Sequence, residues 1–567
     1  MAMDLVETRR EQMFPKLTPP QLARFAAHCT RRETAAGEVL LNVGQRPGCL
    51  FIVTAGTVEA RVPTSDAHTA TCGYKLLNVL RAGDFSGEMS TLRGTPALAQ
   101  LRVGEPGAVL QVGLDEVRRL VQNDAELSEL MMRAFILRRM GIVQSGSGDV
   151  TVLGSRHAGD TLRIREFLTR NARPYVDIDI DQDPDAQALL ERFHVQAQDL
   201  PVLLCRGKVL RNPDNATLAD CLGINGQPDD SGVHDLIIIG AGPAGLATAV
   251  YAASEGLDVR IVDSFAPGGQ AGTSSRIENY LGFPTGISGA ALAGRALSQA
   301  QKFGAQLSVA WQAVRLRCDD WPYEVEMSDG KRLRGRSIVI ASGARYRMLE
   351  VANVCRFFGS GIYYAATHLE ARLCDGEDVA IVGGGNSAGQ AAVFLAGSCR
   401  HVHVLVRSAG LAESMSAYLI RRIEDSHNIT LHTRTQITAL SGVKRLERVA
   451  WATGGGAPDS RQLRHLFLMT GASPNTGWLA GCVALDNRDF VKTGPDLTRE
   501  ELASWRLTRP PYLLETSIPG VFAAGDVRAG SVKRIASAVG EGSITVQFVH
   551  RALRDLAVAP PQAVAAA

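Results

Sequence analysis

The stretch that most limits what this chain can fold into is "HDLIIIGAGPAGLATAVYAASEGLDVRIVDS", residues 234–264. It reads as an apolar strand, a G-x-G-x-x-G turn (Gly240, Gly242, Gly245), a helix opening near Ala244, a second strand, and Asp263 at that strand's end. Gly240 allows the tight turn, Gly242 lets backbone approach a pyrophosphate, and Gly245 lets helix and strand pack closely. The helix N-terminus favours the phosphate charge, and an acid about 20 residues on can bind ribose hydroxyls. Asp263 lies 23 residues after Gly240. A lone G-x-G-x-x-G is a weak signal; with strand, helix and acid in register it is a strong one.

A second βαβ pattern runs through "DVAIVGGGNSAGQAAVFLAGSCRHVHVLVRS". Gly383 and Gly385 hold the first two glycine positions, Ala388 the third, and Asn386 and Ser387 lie between them at the helix start. At the end of the second strand the acid is missing and Arg407 stands in its place. An acid there selects NAD, whereas an arginine accommodates the 2′-phosphate of NADP, so NADPH is the expected coenzyme. Four further pieces accompany the two units: "SIVIASGA" (337–344), "APGGQAGTSSRIENYLGFP" (266–284) with Gly269, Gln270 and Asn279, "MTGASPNT" (469–476), and "IPGVFAAGDVRAGSVKRIASAVGEGS" (518–543) with Gly525 and Asp526.

In order and spacing these motifs resemble the thioredoxin-reductase branch of the pyridine nucleotide-disulfide oxidoreductases, over roughly 233–555. The resemblance implies an FAD domain built from two stretches (233–345 and 479–555) with an NAD(P)H domain (346–478) inserted between them. It also implies that Asp526 bonds the ribityl chain of FAD and that Gly269, Gln270 and Asn279 lie near the flavin. Arg407 matches one of two consecutive arginines the family uses for the 2′-phosphate; the second position is Ser408. The family's Cys-x-x-Cys aligns with "AATH", Ala365 to His368, so neither thiol is present. That segment reads as a helix start closing over the flavin, or with His368 as a proton donor beside it. Cys374, the nearest sulfur, is six residues on. No catalytic residue is assigned.

Two other segments precede this half. Gly/Ser/Asp/Pro-rich breaks at 144–149 and 223–232 read as linkers and give domains at 14–143 and 149–223. The first has short β-rich runs followed by one helical stretch, "LDEVRRLVQNDAELSELMMRAFILRRM", which suggests a β-roll closed by a helix. With "GDFSGEMSTL" it resembles a cyclic-nucleotide-binding domain, in which Gly87 and Glu88 would contact the ribose and phosphate. Alignment on that pair and Pro96 puts Ala97 where the phosphate-gripping arginine belongs, so a cyclic nucleotide is not the expected ligand. The reading is a roll kept for packing or dimerisation, against a ligand sensor. The segment 149–223 runs β-α-β-α-β-β-α and resembles a thioredoxin or glutaredoxin fold, with Leu200-Pro201 at the family's cis-proline. Its redox position reads "GSRHAGD", without cysteine, which leaves a docking or spacer module.

Composition closes off other classes. Lys+Arg 60 against Asp+Glu 58 gives no concentrated basic face for nucleic acid. The ten cysteines are scattered, none as Cys-x-x-Cys, which fits a reducing cytoplasm and no metal site. The N-terminus lacks the apolar run of a signal peptide, and the uncharged run Leu236 to Ser254 is broken by Gly240, Gly242, Pro243 and Gly245, so no membrane span is expected. The fold class expected is multidomain: a β-roll with closing helix, a thioredoxin-like α/β segment, and two Rossmann-like domains. The function expected is hydride transfer from NADPH to FAD and on to a small-molecule or protein acceptor, in a homodimer. Disulfide reduction through other cysteines, or a flavin and nucleotide sensor without turnover, are the alternatives.

Overall fold

The computed structural model describes residues 10–26, 29–65, 72–86, 96–144, 150–156, 158–181, 196, 199–205, 208–225, 232–443 and 445–558. Two compact units emerge: 1–155 with 167–229 and 298–310, and 156–166 with 230–297 and 311–567.

In the first unit, seven strands between Cys29 and Gly113 form two antiparallel sheets. Two helices follow, Leu114–Asn123 and Ala125–Gln144, where the sequence suggested one. Asp124 explains the break: its carboxylate accepts the Leu127 amide at 3.1 Å, which caps the second helix. Farther along, the strands Val150–Gly154, Val176–Asp179, Val202–Cys205 and Lys208–Arg211 pair in one mixed sheet, and the Leu200–Pro201 bond is cis. The helix expected just before Phe193 falls outside the described residues.

The second unit holds two parallel-sheet cores. In the first, Val259–Asp263, Val233–Ile239 and Arg332–Ile340 run parallel, with Val521–Ala523 alongside Arg332–Ile340. Tyr323–Met327 and Ala313–Arg317 extend that sheet antiparallel. Leu236 to Ile239 are buried, as a central strand covered on both faces requires. Each such side chain contributes about 1.5–3 kcal/mol of apolar burial. The run weighed as a membrane span is therefore a strand, a turn and the helix Pro243–Ser254. No helix among the described residues is long and apolar enough to cross a membrane. In the second core, Ile362–Tyr363, His465–Leu468, Asp378–Val382, His401–Leu405 and Ile429–His432 lie side by side, all parallel.

Candidate functional site

In a doubly wound sheet, ligands bind beyond the carboxyl ends of the strands. At that end of the first core, Gly240 has φ +109°, and a Cβ on it would lie 2.2 Å from the Ala341 carbonyl oxygen. Gly245 is equally closed, since its Cβ would meet the Gly240 carbonyl oxygen at 1.9 Å. Gly242 is different. It caps the helix Pro243–Ser254, and the nearest atom to an added Cβ is the Gly269 Cα at 4.0 Å. The space in front of this helix N-terminus is open, as a phosphate cradle must be.

Asp263 accepts hydrogen bonds from the amides of Ala241 (2.8 Å), Phe265 (2.8 Å) and Ala266 (2.9 Å). It thus ties the glycine turn to the following loop, a duty the sequence did not disclose. That loop brings Gly269 against Gly242, where a Cβ on Gly269 would sit 3.1 Å from the Gly242 Cα. Gln270 donates to the Ala344 carbonyl, stapling the loop to the short strand Ala344–Tyr346 that follows Arg332–Ile340. Asn279 is exposed farther along the same loop.

Gly525 and Asp526 arrive from the other end of the chain. Because Val521–Ala523 pairs in parallel with Ile338 to Ile340, the chain emerges beside Gly240. Gly525, at φ +79°, would place a Cβ 3.0 Å from that of Ala244. Burial pushes the Asp526 carboxyl above its usual range, with Lys533 pulling the other way. The 24-residue helix Ile535–Val558 packs on Pro243–Ser254, so closely that a Cβ on Gly542 would sit 2.3 Å from the Ala244 carbonyl oxygen. From this helix Glu541 accepts the Gly525 amide (2.7 Å) and the Arg528 guanidinium (2.6 Å). Spacing alone did not single out Glu541, because its partners are defined only by the packed helix; Lys533, just before that helix, donates to the Asp526 carbonyl at 2.6 Å. Glu541→Ala strands a largely buried arginine and is expected to cost about 3 kcal/mol, read as a lower urea midpoint.

The second core repeats the device. Gly383 (φ +144°) would place a Cβ 2.3 Å from the Met469 carbonyl oxygen. Gly385 caps the helix Asn386–Leu395, and nothing lies nearer than 4.0 Å to its added Cβ. Ala388 is fully buried, filling the third glycine position with one methyl. Asn386 is turned inward, accepting the Ser416 amide at 2.7 Å, while Ser387 is exposed in the first turn. Arg407 is exposed just past the strand His401–Leu405.

Two open glycine-capped helix N-termini, each at the carboxyl end of its own parallel sheet, are the geometry that two dinucleotides require. Residues 234–542, more than half the chain, match the family model described as pyridine nucleotide-disulphide oxidoreductase. The chain belongs to this family.

The chain is similar to the NADPH-dependent thioredoxin reductase 3 of Arabidopsis thaliana, 31% identical over 61% of this chain and 65% of that protein. It is also similar to an NADH dehydrogenase of Ferdinandcohnia aciditolerans, 30% identical over 55% of this chain and 56% of that protein. The chain thus spans less than two thirds of these relatives' lengths. The crystal structure of a thioredoxin reductase from T. acidophilum aligns over 56% of this chain and 98% of its own, with TM-score 0.50 and 27% identity. Residues 31–124 match the cyclic nucleotide-binding domain model. The family half is thus similar to thioredoxin reductases, and it shares the chain with the segment that matches the cyclic nucleotide-binding model.

Inside this half, Ala365 to Thr367 lead into the six-residue helix His368–Leu373. Thr367 caps it by donating its amide to Glu370 at 2.8 Å. His368 stands edge-on to Phe394, 5.2 Å between centroids, on a helix of the nucleotide core. Cys374 is fully buried with its Sγ 3.7 Å from that of Cys399. The two precede the strands Asp378–Val382 and His401–Leu405, at the amino end of the sheet, opposite the glycine loop. Cys318 and Cys482, 164 residues apart, are disulfide-bonded and packed against the core of the first sheet. Scattered spacing hid both pairs. Among the described residues no cluster of ligands suits a metal ion.

Proposed function

We propose that the chain accepts hydride equivalents from NADPH and delivers the electrons straight from FAD to an acceptor, without a thiol relay. What supports this is one juxtaposition: both dinucleotide cradles are intact, while Ala365 and His368 occupy the place of the redox pair. FAD, when bound, would supply the redox chemistry between the nicotinamide and an acceptor such as a quinone, a ferricyanide-like oxidant or a redox protein. The chain's own part is binding and orientation. Gly242 and Gly385 leave room for phosphates at helix N-termini. Asp263 holds the first glycine turn in shape, and Asp526, half-buried beside Gly525, is the residue that would bond the ribityl chain of FAD. Stopped-flow mixing of the flavin-loaded protein with NADPH tests the reading: rapid bleaching is expected, and a flavin that stays oxidised overturns it.

The domain bounds 14–143, 149–223, 233–345, 346–478 and 479–555, a homodimer and a cytoplasmic setting belong to the same proposal. For the N-terminal domain, Gly87 and Glu88 lie outside the described residues. Ala97 is described and buried, its backbone bonded to Gln45 and Gly44 at 2.9 Å each. No cation can be carried at that position. Losing a charge-assisted arginine–phosphate contact lowers affinity about 10- to 100-fold. Calorimetry with cyclic AMP is therefore expected to show no binding in the micromolar range; micromolar affinity would mean that another side chain supplies the charge.

A further inference from the structure

The strand that ends in Arg407 has a neighbour whose end carries a second arginine. His401–Leu405 pairs in parallel with Ile429–His432, Leu405 opposite His432. Past both strand ends the chains stay fastened: the Val406 amide donates to the His432 carbonyl (2.9 Å) and the Arg434 amide to the Ser408 carbonyl (3.0 Å). Arg434 occupies the turn into the strand Thr435–Ser441, and its carbonyl accepts the Gly454 amide at 2.8 Å. Both of its backbone groups are thus committed, and they hold it at φ +51°. That left-handed region favours glycine, and a long side chain kept there is an outlier of the kind found at ligand clamps.

Arg407 and Arg434 are both exposed, and among the described residues neither has a carboxylate partner. No acid occurs in 406–412 or 432–437. Adjacent strands lie about 4.8 Å apart, so two arginines on neighbouring strand ends can converge on one anion. The position they share is where a dinucleotide fold discriminates the 2′ substituent of the adenosine ribose.

We infer that Arg434 is a specificity-determining residue for the 2′-phosphate. It supplies, from the adjacent strand end, the second cation that Ser408 does not. The inference rests on the NADPH reading, and the Ser408 carbonyl is what positions Arg434 beside Arg407. Recognition of a phosphate by two guanidinium groups needs no covalent step; each contributes charge-assisted, forked hydrogen bonds.

The test is calorimetry on the flavin-loaded full chain with two probes that differ only in the 2′-phosphate, 2′,5′-ADP and 5′-AMP. The parent protein should bind 2′,5′-ADP at least about tenfold more tightly. Arg434→Gly, which keeps the left-handed turn, should weaken 2′,5′-ADP about 10- to 100-fold and leave 5′-AMP within about twofold. Arg434→Lys should fall between, since an ammonium keeps the charge but not the fork. If the parent favours 2′,5′-ADP and Arg434→Gly still does so equally, the inference fails while the NADPH reading stands. If Arg434→Gly weakens both probes alike, the residue is structural and the inference fails. A parent that binds both probes equally removes the NADPH reading and the inference with it.

Discussion

Gly242→Val is expected to give a folded protein without flavin, whereas Gly245→Val is expected not to fold. The two glycines are three residues apart in one turn, yet an added Cβ meets opposite surroundings. At Gly242 nothing in the protein lies nearer than 4.0 Å, and its φ of −71° is open to any residue. The valine therefore costs the apoprotein little beyond about 1 kcal/mol of poorer helix capping. Its branches instead fill the space in front of the helix where a pyrophosphate must approach. Losing two amide–phosphate bonds removes about 3–6 kcal/mol, on the order of 10²- to 10⁴-fold in affinity. At Gly245 the Cβ would lie 1.9 Å from the Gly240 carbonyl oxygen, a backbone clash with nowhere to go. The readouts are flavin absorbance per protein and the far-ultraviolet circular dichroism of each variant. A yellow, fully loaded Gly242→Val protein would sink the assignment of this loop to FAD.

Thioredoxin-type disulfides are expected to be poor or silent acceptors, while ferricyanide is reduced rapidly by the same preparation. Disulfide reduction requires one thiolate to attack and a second thiol to resolve the mixed disulfide. Ala365 and His368 offer neither. The structure also disposes of the nearest substitute. Cys374 is fully buried, and the Cys399 contact together with burial pushes its thiol up, away from the thiolate that attack requires. The strand Asp378–Val382 separates it from the glycine loop, about 16 Å of extended chain. Cys355 is the exposed free cysteine among the described residues of this half. A single thiol does not complete the reaction. A thioredoxin-coupled thiol assay run beside a ferricyanide assay decides the matter. Both activities should be unchanged in Cys374→Ser and Cys355→Ser. Robust thioredoxin turnover that either substitution abolishes would identify that cysteine as the missing nucleophile and overturn direct delivery from the flavin.

Both dinucleotide loops were legible in the sequence because their requirements are local. A turn that must reach φ +109° at Gly240, or leave a helix N-terminus bare at Gly242, can be written only with glycine at a set spacing. The same holds for Gly383 and Gly385, and for the apolar runs of strands buried on both faces. The absence of the redox pair was equally plain, since a missing sulfur needs no fold to be noticed. Tertiary structure decided what those motifs touch. It turned Asp263 toward three backbone amides, set Glu541 under Gly525, and laid Gly269 on Gly242. It carried Gly525 and Asp526 beside a loop almost 300 residues earlier, because a short strand pairs in parallel with Arg332–Ile340. Arg434 became visible only through its bond to Ser408, and the cysteine pairs 374–399 and 318–482 only through the sheets that bring them together. Spacing along a chain records contacts within a turn or two of helix or strand. Contacts made by sheet order and helix packing join residues at arbitrary separation, and they leave no periodic trace.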